Sequence, residues 1–215
     1  IQTILDKFKI PYTHSGAIAS SIAMNKEISK KLFIKNKIKT PKFFTYSYDI
    51  TKSNLINKIN KNLRFPVVIK PLNEGSSVNV YISSKKTLDK ILYKLKVYKK
   101  VLIEEFIGGR EIQVAIMGDK KLGAIELKPK RKFYDYQAKY DSKSKTQHII
   151  PVDLPKSKFN KVMDIAYKAH KIIGCRGVTR SDFKFFNGNF YWNYMFCFSF
   201  RIIFCLVIIK FSFRF

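Results

Sequence analysis

"FPVVIKPLNEGSSVNV", residues 65–80, gives three successive structural instructions. Val67 to Lys70 is a short, largely β-branched apolar run, so it predicts a strand whose final cation stands at the sheet rim just before Pro71. Gly75, Ser76 and Ser77 then predict a loop. Gly75 lets backbone approach an anion closely, and the amides of Ser76 and Ser77 can donate to it as an oriented nest. Val78 to Ile82 predicts a returning strand. A basic strand end followed by a Gly-Ser loop suits a phosphate. The same residues also describe a surface hairpin with a snorkelling lysine.

The surrounding chain alternates helices with antiparallel strands. "MNKEISKKLFIKNKIKTP", residues 24–41, sets Met24, Ile28, Leu32 and Lys35 on one helical stripe that must end before Pro41. Residues 43–48 read as a strand and 54–63 as an amphipathic helix. Residues 87–98 have helical period, with Thr87 placed to cap them. "VLIEE", residues 101–105, is a strand ending on two acids, and residues 111–127 form a hairpin about Gly118 and Asp119. Residues 128–150 are polar and rich in Lys and Tyr, which predicts a long loop. "KFNKVMDIAYKAHKIIG", residues 158–174, turns Val162, Ile165, Ala169 and Ile172 or Ile173 inward and closes on Gly174. Residues 178–192 make a hairpin through Asn187 and Gly188. The pattern argues an α+β fold in two layers.

A formal net charge of +27 raises nucleic acid or an acidic surface as a partner. The basic residues are scattered rather than gathered, and Lys, Ile, Asn, Tyr and Phe together are the set that AT-rich codons write. Nucleic acid is therefore not expected as a partner, nor is a membrane: the apolar run from Ile202 to Ile209 is too short for a span. The three cysteines, Cys175, Cys197 and Cys205, show neither a disulfide framework nor zinc spacing, which fits a reducing compartment. His14 and His148 read as loop residues, His170 as a helix-face residue, and Cys175 as packed behind a helix cap. On spacing alone, Glu104, Glu105 and Glu111 suit an adenine edge and a ribose, or equally a plain strand terminus meeting nearby lysines.

Five ordered stretches narrow this further: "PYTHSGAIASSIAMNKEISKKLF" (11–33), "FPVVIKPLNEGSSVNV" (65–80), "VLIEEFIGGREIQVAI" (101–116), "FYDYQAKYDSKSKTQHIIP" (133–151) and "GCRGVTRSDFKFFNGNFY" (174–191). The series closely resembles the D-alanine:D-alanine ligases of the ATP-grasp superfamily. That resemblance implies two α+β lobes with nucleotide between them and an ATP-dependent ligase. Such an enzyme phosphorylates one D-alanine carboxylate and lets a second D-alanine amine attack the acylphosphate, supplying dipeptide for peptidoglycan in the cytoplasm. By resemblance, Lys26 and Lys70 meet nucleotide phosphates, while Ser76 and Ser77 belong to the loop that closes over them, Ser76 also facing substrate. Glu104 and Ile107 meet adenine, Glu105 belongs to the same ATP site, and Glu111 meets the ribose. Lys139 reaches the terminal phosphate, and Tyr140 helps close the dipeptide site. Arg180 steadies the tetrahedral oxyanion, and Asp182 binds magnesium or manganese. A homodimer is common in the family.

The resemblance also marks where this chain departs. The family's last strand reads roughly "FYLLE-x-N", its Glu and Asn completing the metal site, whereas this chain reads "FYWNYMFCF" and sets Tyr194 and Phe196 at those positions. No Asp or Glu follows Asp182. The expected organisation is a remnant of an N-terminal substrate domain (1–23), a small lobe (24–108), an incomplete large lobe (109–191) and an aberrant apolar tail (192–215), the last from a lost reading frame near Trp192. Losing the strand after Tyr191 is expected to expose apolar surface. The chain is read as a fragment at its N-terminus. Two alternatives stand beside the ligase: a non-catalytic ATP-binding remnant, and a basic nucleic-acid-binding module.

Overall fold

The computed structural model describes residues 1–129 and 146–197. Three helices open the chain: α1 (Gln2–Lys7), α2 (Ala17–Met24) and α3 (Lys26–Lys35). A four-stranded antiparallel sheet follows, built from β1 (Phe43–Tyr46), β2 (Val67–Pro71), β3 (Tyr81–Ser83) and β4 (Val101–Glu105) in the order β1-β4-β2-β3. Helices α4 (Lys52–Asn62) and α5 (Leu88–Leu95) cover it, burying Leu55, Ile59, Leu88 and Leu95 against Val67, Ile69, Val101 and Ile103. The second sheet holds β5 (Arg110–Met117), β6 (Lys120–Lys128), β7 (Gln147–Ile149), β8 (Val178–Phe186) and β9 (Asn189–Cys197) in the order β7-β6-β5-β8-β9, all antiparallel. Helix α6 (Lys156–Ile173) packs on it through Val162, Met163, Ala166 and Ala169. The expected α+β architecture is present in both halves. The strand β7 lies at the end of the stretch read as loop.

Local chemistry explains the ends of these elements. Gly174 stops α6 in the left-handed conformation (φ 76°), and the Cys175 amide donates back to the His170 carbonyl at 3.0 Å. The β8–β9 hairpin turns through Asn187 (φ 45°) and Gly188 (φ 72°), the paired positive angles a two-residue turn requires. Thr87 does not cap α5. Its hydroxyl accepts from the Ser84 amide at 3.0 Å instead, so a local turn consumes the group the helix would have used.

Helix α3 shows the largest reversal. The expected single stripe is split: Met24 ends α2 and is 44% exposed, Ile28 is 50% exposed, and Leu32 alone of the three packs partly against the core. The buried residues of α3 are Lys26, Ser29, Lys30 and Phe33. Phe33 anchors the helix in the core of the five-stranded sheet, edge-on to the Trp192 ring at 4.4 Å between centroids, and this turns the two lysines toward acceptors on the other sheet.

Trp192 also corrects the expected loss of the last strand. The β8–β9 ladder continues past Tyr191 to Cys197, and Trp192 is fully buried. Its amide donates to the Lys39 carbonyl at 2.8 Å, while its indole N–H has no hydrogen-bond partner. An orphaned buried donor costs about 1–3 kcal/mol, and burial of the large ring offsets it. The edge predicted to be bare is paired.

At the start of β8 the backbones of two distant segments touch. Gly177 has φ +65°, and a Cβ there would lie 1.9 Å from the Thr13 carbonyl oxygen. Ser15 Oγ donates to the Arg176 carbonyl at 2.8 Å, and the Arg176 guanidinium reaches the His14 carbonyl at 3.2 Å. His14 thus contributes its backbone rather than its ring to these contacts.

Candidate functional site

The two sheets face one another across an open cleft lined by residues of both. One wall is the rim of the four-stranded sheet. Antiparallel pairing of β2 with β4 sets Val68 opposite Glu104, and places Lys70 and Glu104 side by side. Lys70 Nζ lies 2.5 Å from Glu104 Oε1 and donates to Asn193 Oδ1 at 3.0 Å. Lys30, with no exposed surface, sits 2.7 Å from Glu104 Oε2 and donates to the Pro41 carbonyl at 3.2 Å. One buried carboxylate therefore bridges two buried ammoniums.

The protonation of this cluster follows from burial and neighbours. Burial alone opposes charge on Glu104, but Lys30 and Lys70 outweigh it and hold the carboxyl below its ordinary range. Burial pulls Lys30 down to about 8 despite Glu104. Lys26 falls further, to about 7, because burial is reinforced by the Lys70 charge and only partly countered by Glu104 and Glu74. Its ammonium donates to the carbonyls of Leu72, at 3.3 Å, and Glu74, and lies 5.1 Å from the Tyr194 ring centroid.

Loop 72–80 crosses the mouth of the cleft. The expected strand from Val78 begins only at Tyr81, because Ser76 (φ 53°), Ser77 (φ 60°) and Asn79 (φ 54°) all take left-handed angles. Non-glycine residues adopt these angles at a cost. Their presence keeps the segment out of the sheet and folds its backbone over the cleft, where Ser76 and Ser77 line the wall.

The opposite wall comes from β5, β8 and β9. Glu111 lines it, paired to Lys184 at 3.0 Å, while Glu105 at the end of β4 and Ile107 in the β4–β5 connection line the cleft between the two walls. Asp182 lines it too, but both its oxygens are taken by the Arg180 guanidinium, Nε to Oδ1 at 2.8 Å and Nη2 to Oδ2 at 3.0 Å. The strand register sets Tyr194 directly across from Asp182. Burial, then Asp182, pushes the Tyr194 phenol well above its ordinary range, so it stays un-ionised. Its hydroxyl meets Met24 Sδ at 3.5 Å. Among the described residues no three His, Cys, Asp or Glu side chains gather as metal ligands. Forked by Arg180, Asp182 has both oxygens engaged, so a divalent cation here would depend on nucleotide phosphates and water for most of its ligands.

The fold therefore brings together Lys26, Lys70, Ser76, Ser77 and Glu104 with Glu105, Ile107, Glu111 and Asp182 around one cleft. Arg180 reaches it through Asp182. Lys139 and Tyr140 lie outside the described residues. Sequence reading missed Lys30, Lys184 and Asn193. Lys30 follows Lys26 by one helical turn, and Arg180, Asp182 and Lys184 share one strand face by alternation; both periods were visible. Asn193 had no such signal, since the ladder shifts register between Asp182 and Phe183.

Comparison with known proteins agrees with this geometry. The family model described as D-ala D-ala ligase C-terminus matches residues 32–196. A D-alanine–D-alanine ligase from Pelagibacter ubique is 67% identical over 191 residues, covering 89% of this chain and 63% of that relative. The crystal structure of the Bacillus anthracis D-alanine–D-alanine ligase superposes with a TM-score of 0.76 at 31% identity, covering 90% of this chain and 63% of the other. A crystal structure of a Bacillus anthracis D-alanine–D-alanine ligase complexed with ATP gives a TM-score of 0.73 at 25% identity, with 90% and 61% covered. The chain thus spans under two thirds of the length of the relatives it matches. Two facing antiparallel sheets with a lysine-rimmed cleft between them are its ATP-grasp fold, and the chain belongs to the D-alanine–D-alanine ligase family through that family's C-terminal region.

Proposed function

We propose that this chain forms the ATP-binding part of a D-alanine:D-alanine ligase, with the nucleotide held between the two sheets. The observation that carries this reading is the Lys70–Glu104–Lys30 cluster, whose ammonium at the β2 rim faces a strained Gly-Ser loop across the cleft. In the proposed complex Lys70 and Lys26 neutralise phosphate oxygens and the Ser76 and Ser77 amides donate to them. The charge that phosphoryl transfer spreads over those oxygens requires such fixed cations. Glu104 and Ile107 meet the adenine, Glu105 belongs to the same ATP site, and Glu111 meets the ribose hydroxyls. The reaction makes D-alanyl phosphate from ATP and D-alanine. Attack by the amine of a second D-alanine then expels phosphate and leaves the dipeptide. Arg180 steadies the oxyanion of that attack once it parts from Asp182. Substrate contacts from Ser76, and closure by Lys139 and Tyr140, belong to the same proposal, as do cytoplasmic location and pairing of two chains. No helix among the described residues is long and apolar enough to cross a membrane.

A second reading, nucleotide binding without turnover, is favoured by the Arg180–Asp182 fork beneath Tyr194. It leaves the site without a metal seat, and no catalytic step is assigned to a protein-held cation. Calorimetric titration with ATP, beside a phosphate-release assay containing D-alanine, separates the two. ATP binding with phosphate release supports the ligase, and binding alone supports the second reading. Absence of ATP binding, or binding undiminished in Lys70→Met, sinks both.

A further inference from the structure

Two thiols meet at the base of the β8–β9 hairpin. Cys175 follows the left-handed Gly174 that ends α6, its amide fixed to the His170 carbonyl. Cys197 is the last residue of β9 and stands opposite Thr179 in the ladder. Their sulfurs are 2.9 Å apart. A disulfide needs about 2.05 Å, so less than about 1 Å of approach separates the thiol pair from a covalent bond. Both residues are partly exposed, which admits a small oxidant.

We infer that Cys175 and Cys197 form a reversible disulfide site, oxidised by a low-molecular-weight disulfide of the glutathione class. The inference does not depend on the nucleotide reading. Cys175 is taken as the attacking group: its contact with Cys197 draws its thiol below the ordinary range against the effect of burial. The same contact, with burial, pushes the Cys197 thiol above that range. The Cys175 thiolate attacks one sulfur of the oxidant, forming a mixed disulfide and releasing one small thiol. Cys197 then gives up its proton and attacks Cys175 Sγ, releasing the second small thiol. Two protein thiols lose two electrons and two protons, and one small disulfide becomes two thiols.

The bond closes a loop that contains all of β8 and β9, so Arg180, Asp182, Asn193 and Tyr194 all lie inside it. Cross-linking a loop of this length restricts the unfolded chain more than the folded one. The oxidised form is expected to unfold roughly 5 °C or more above the reduced form.

The purified chain is incubated with oxidised glutathione, its remaining thiols are blocked, and it is mapped by mass spectrometry without reduction. The expected result is one linked peptide pair joining Cys175 to Cys197, about 2 Da lighter than the sum of the free peptides, with Cys205 blocked as a thiol. Cys205→Ser is expected to give the same pair and the raised unfolding midpoint, while Cys175→Ser and Cys197→Ser give no pair. Pairing of Cys205 with either partner overturns the inference. So do a glutathione adduct that persists on Cys175, a link between two chains, or three thiols that all remain free. Mapping the unaltered chain decides the matter even where a variant fails to fold.

Discussion

The two walls of the cleft treat their charges differently. At the β2–β4 rim, one carboxylate is shared by two ammoniums, and Lys26 beside them meets two carbonyl acceptors and a ring face. At the β8–β9 wall, Arg180 and Asp182 satisfy each other with two-point geometry, and Glu111 has Lys184. The first wall holds positive charge in excess, as a polyanion site requires. The second is closer to neutral.

The strongest way to break this contrast is at Lys30. Lys30→Met leaves half of the buried Glu104 carboxylate without its cation, and is expected to lower stability by about 3 kcal/mol in urea unfolding. Replacing the whole cluster, with Glu104→Leu and Lys70→Met added to Lys30→Met, is expected to recover most of the loss, because a buried ionic group exchanged whole for apolar side chains is nearly neutral. If the single change leaves stability untouched, the three-charge cluster is not what holds this rim.

Next in size is Lys70→Met, expected to weaken ATP binding by about 2 kcal/mol, roughly 30-fold. The matching change on the other wall, Lys184→Met, is expected to weaken it far less. Equal losses from both would erase the distinction between the walls.

A pH titration sharpens it further. The folded Lys26 value of about 7 lies below its ordinary 10.5, so between those values the unfolded chain carries the extra proton. The Lys26 contribution to stability therefore rises with pH through that window. Nucleotide affinity runs the other way, for the phosphates favour the ammonium. Calorimetry in buffers of different ionisation enthalpy is expected to detect proton uptake on ATP binding near pH 8, and none in Lys26→Met.

The smallest effect is expected from metal removal. Chelation is expected to change ATP affinity of the unaltered chain less than about threefold, under 1 kcal/mol, since Asp182 is already forked by Arg180. In Tyr194→Glu, which sets a second carboxylate across from Asp182, the same chelation is expected to matter more. A large chelator effect in the unaltered chain would mean that the fork opens readily.

Much of this was readable before any coordinates. The strand through Lys70, which runs one residue further to Pro71, the strand ending on Glu104 and Glu105, the Gly174 stop and the Asn187–Gly188 turn are written in local residue chemistry, and the structure has them. What escaped depended on partners distant in sequence. The inward face of α3 is decided by Phe33 meeting Trp192, two residues 159 positions apart, and not by the period of Met24, Ile28 and Leu32. The persistence of β9 depends on ladder pairing and on that same ring, so a composition that looked unlike a strand still makes one. Left-handed angles at Ser76 and Ser77 are unfavourable locally, and no propensity announces them.

Gly177 carries a consequence of its own. Since the Thr13 carbonyl occupies the space a side chain would need, the opening segment lies directly against the Gly177 backbone, tied there by the Ser15 hydroxyl and the Arg176 guanidinium. Residues 13 and 14 can therefore drift in identity while position 177 cannot, and the tolerance of one end of the chain to mutation is set by a single hydrogen atom at the other.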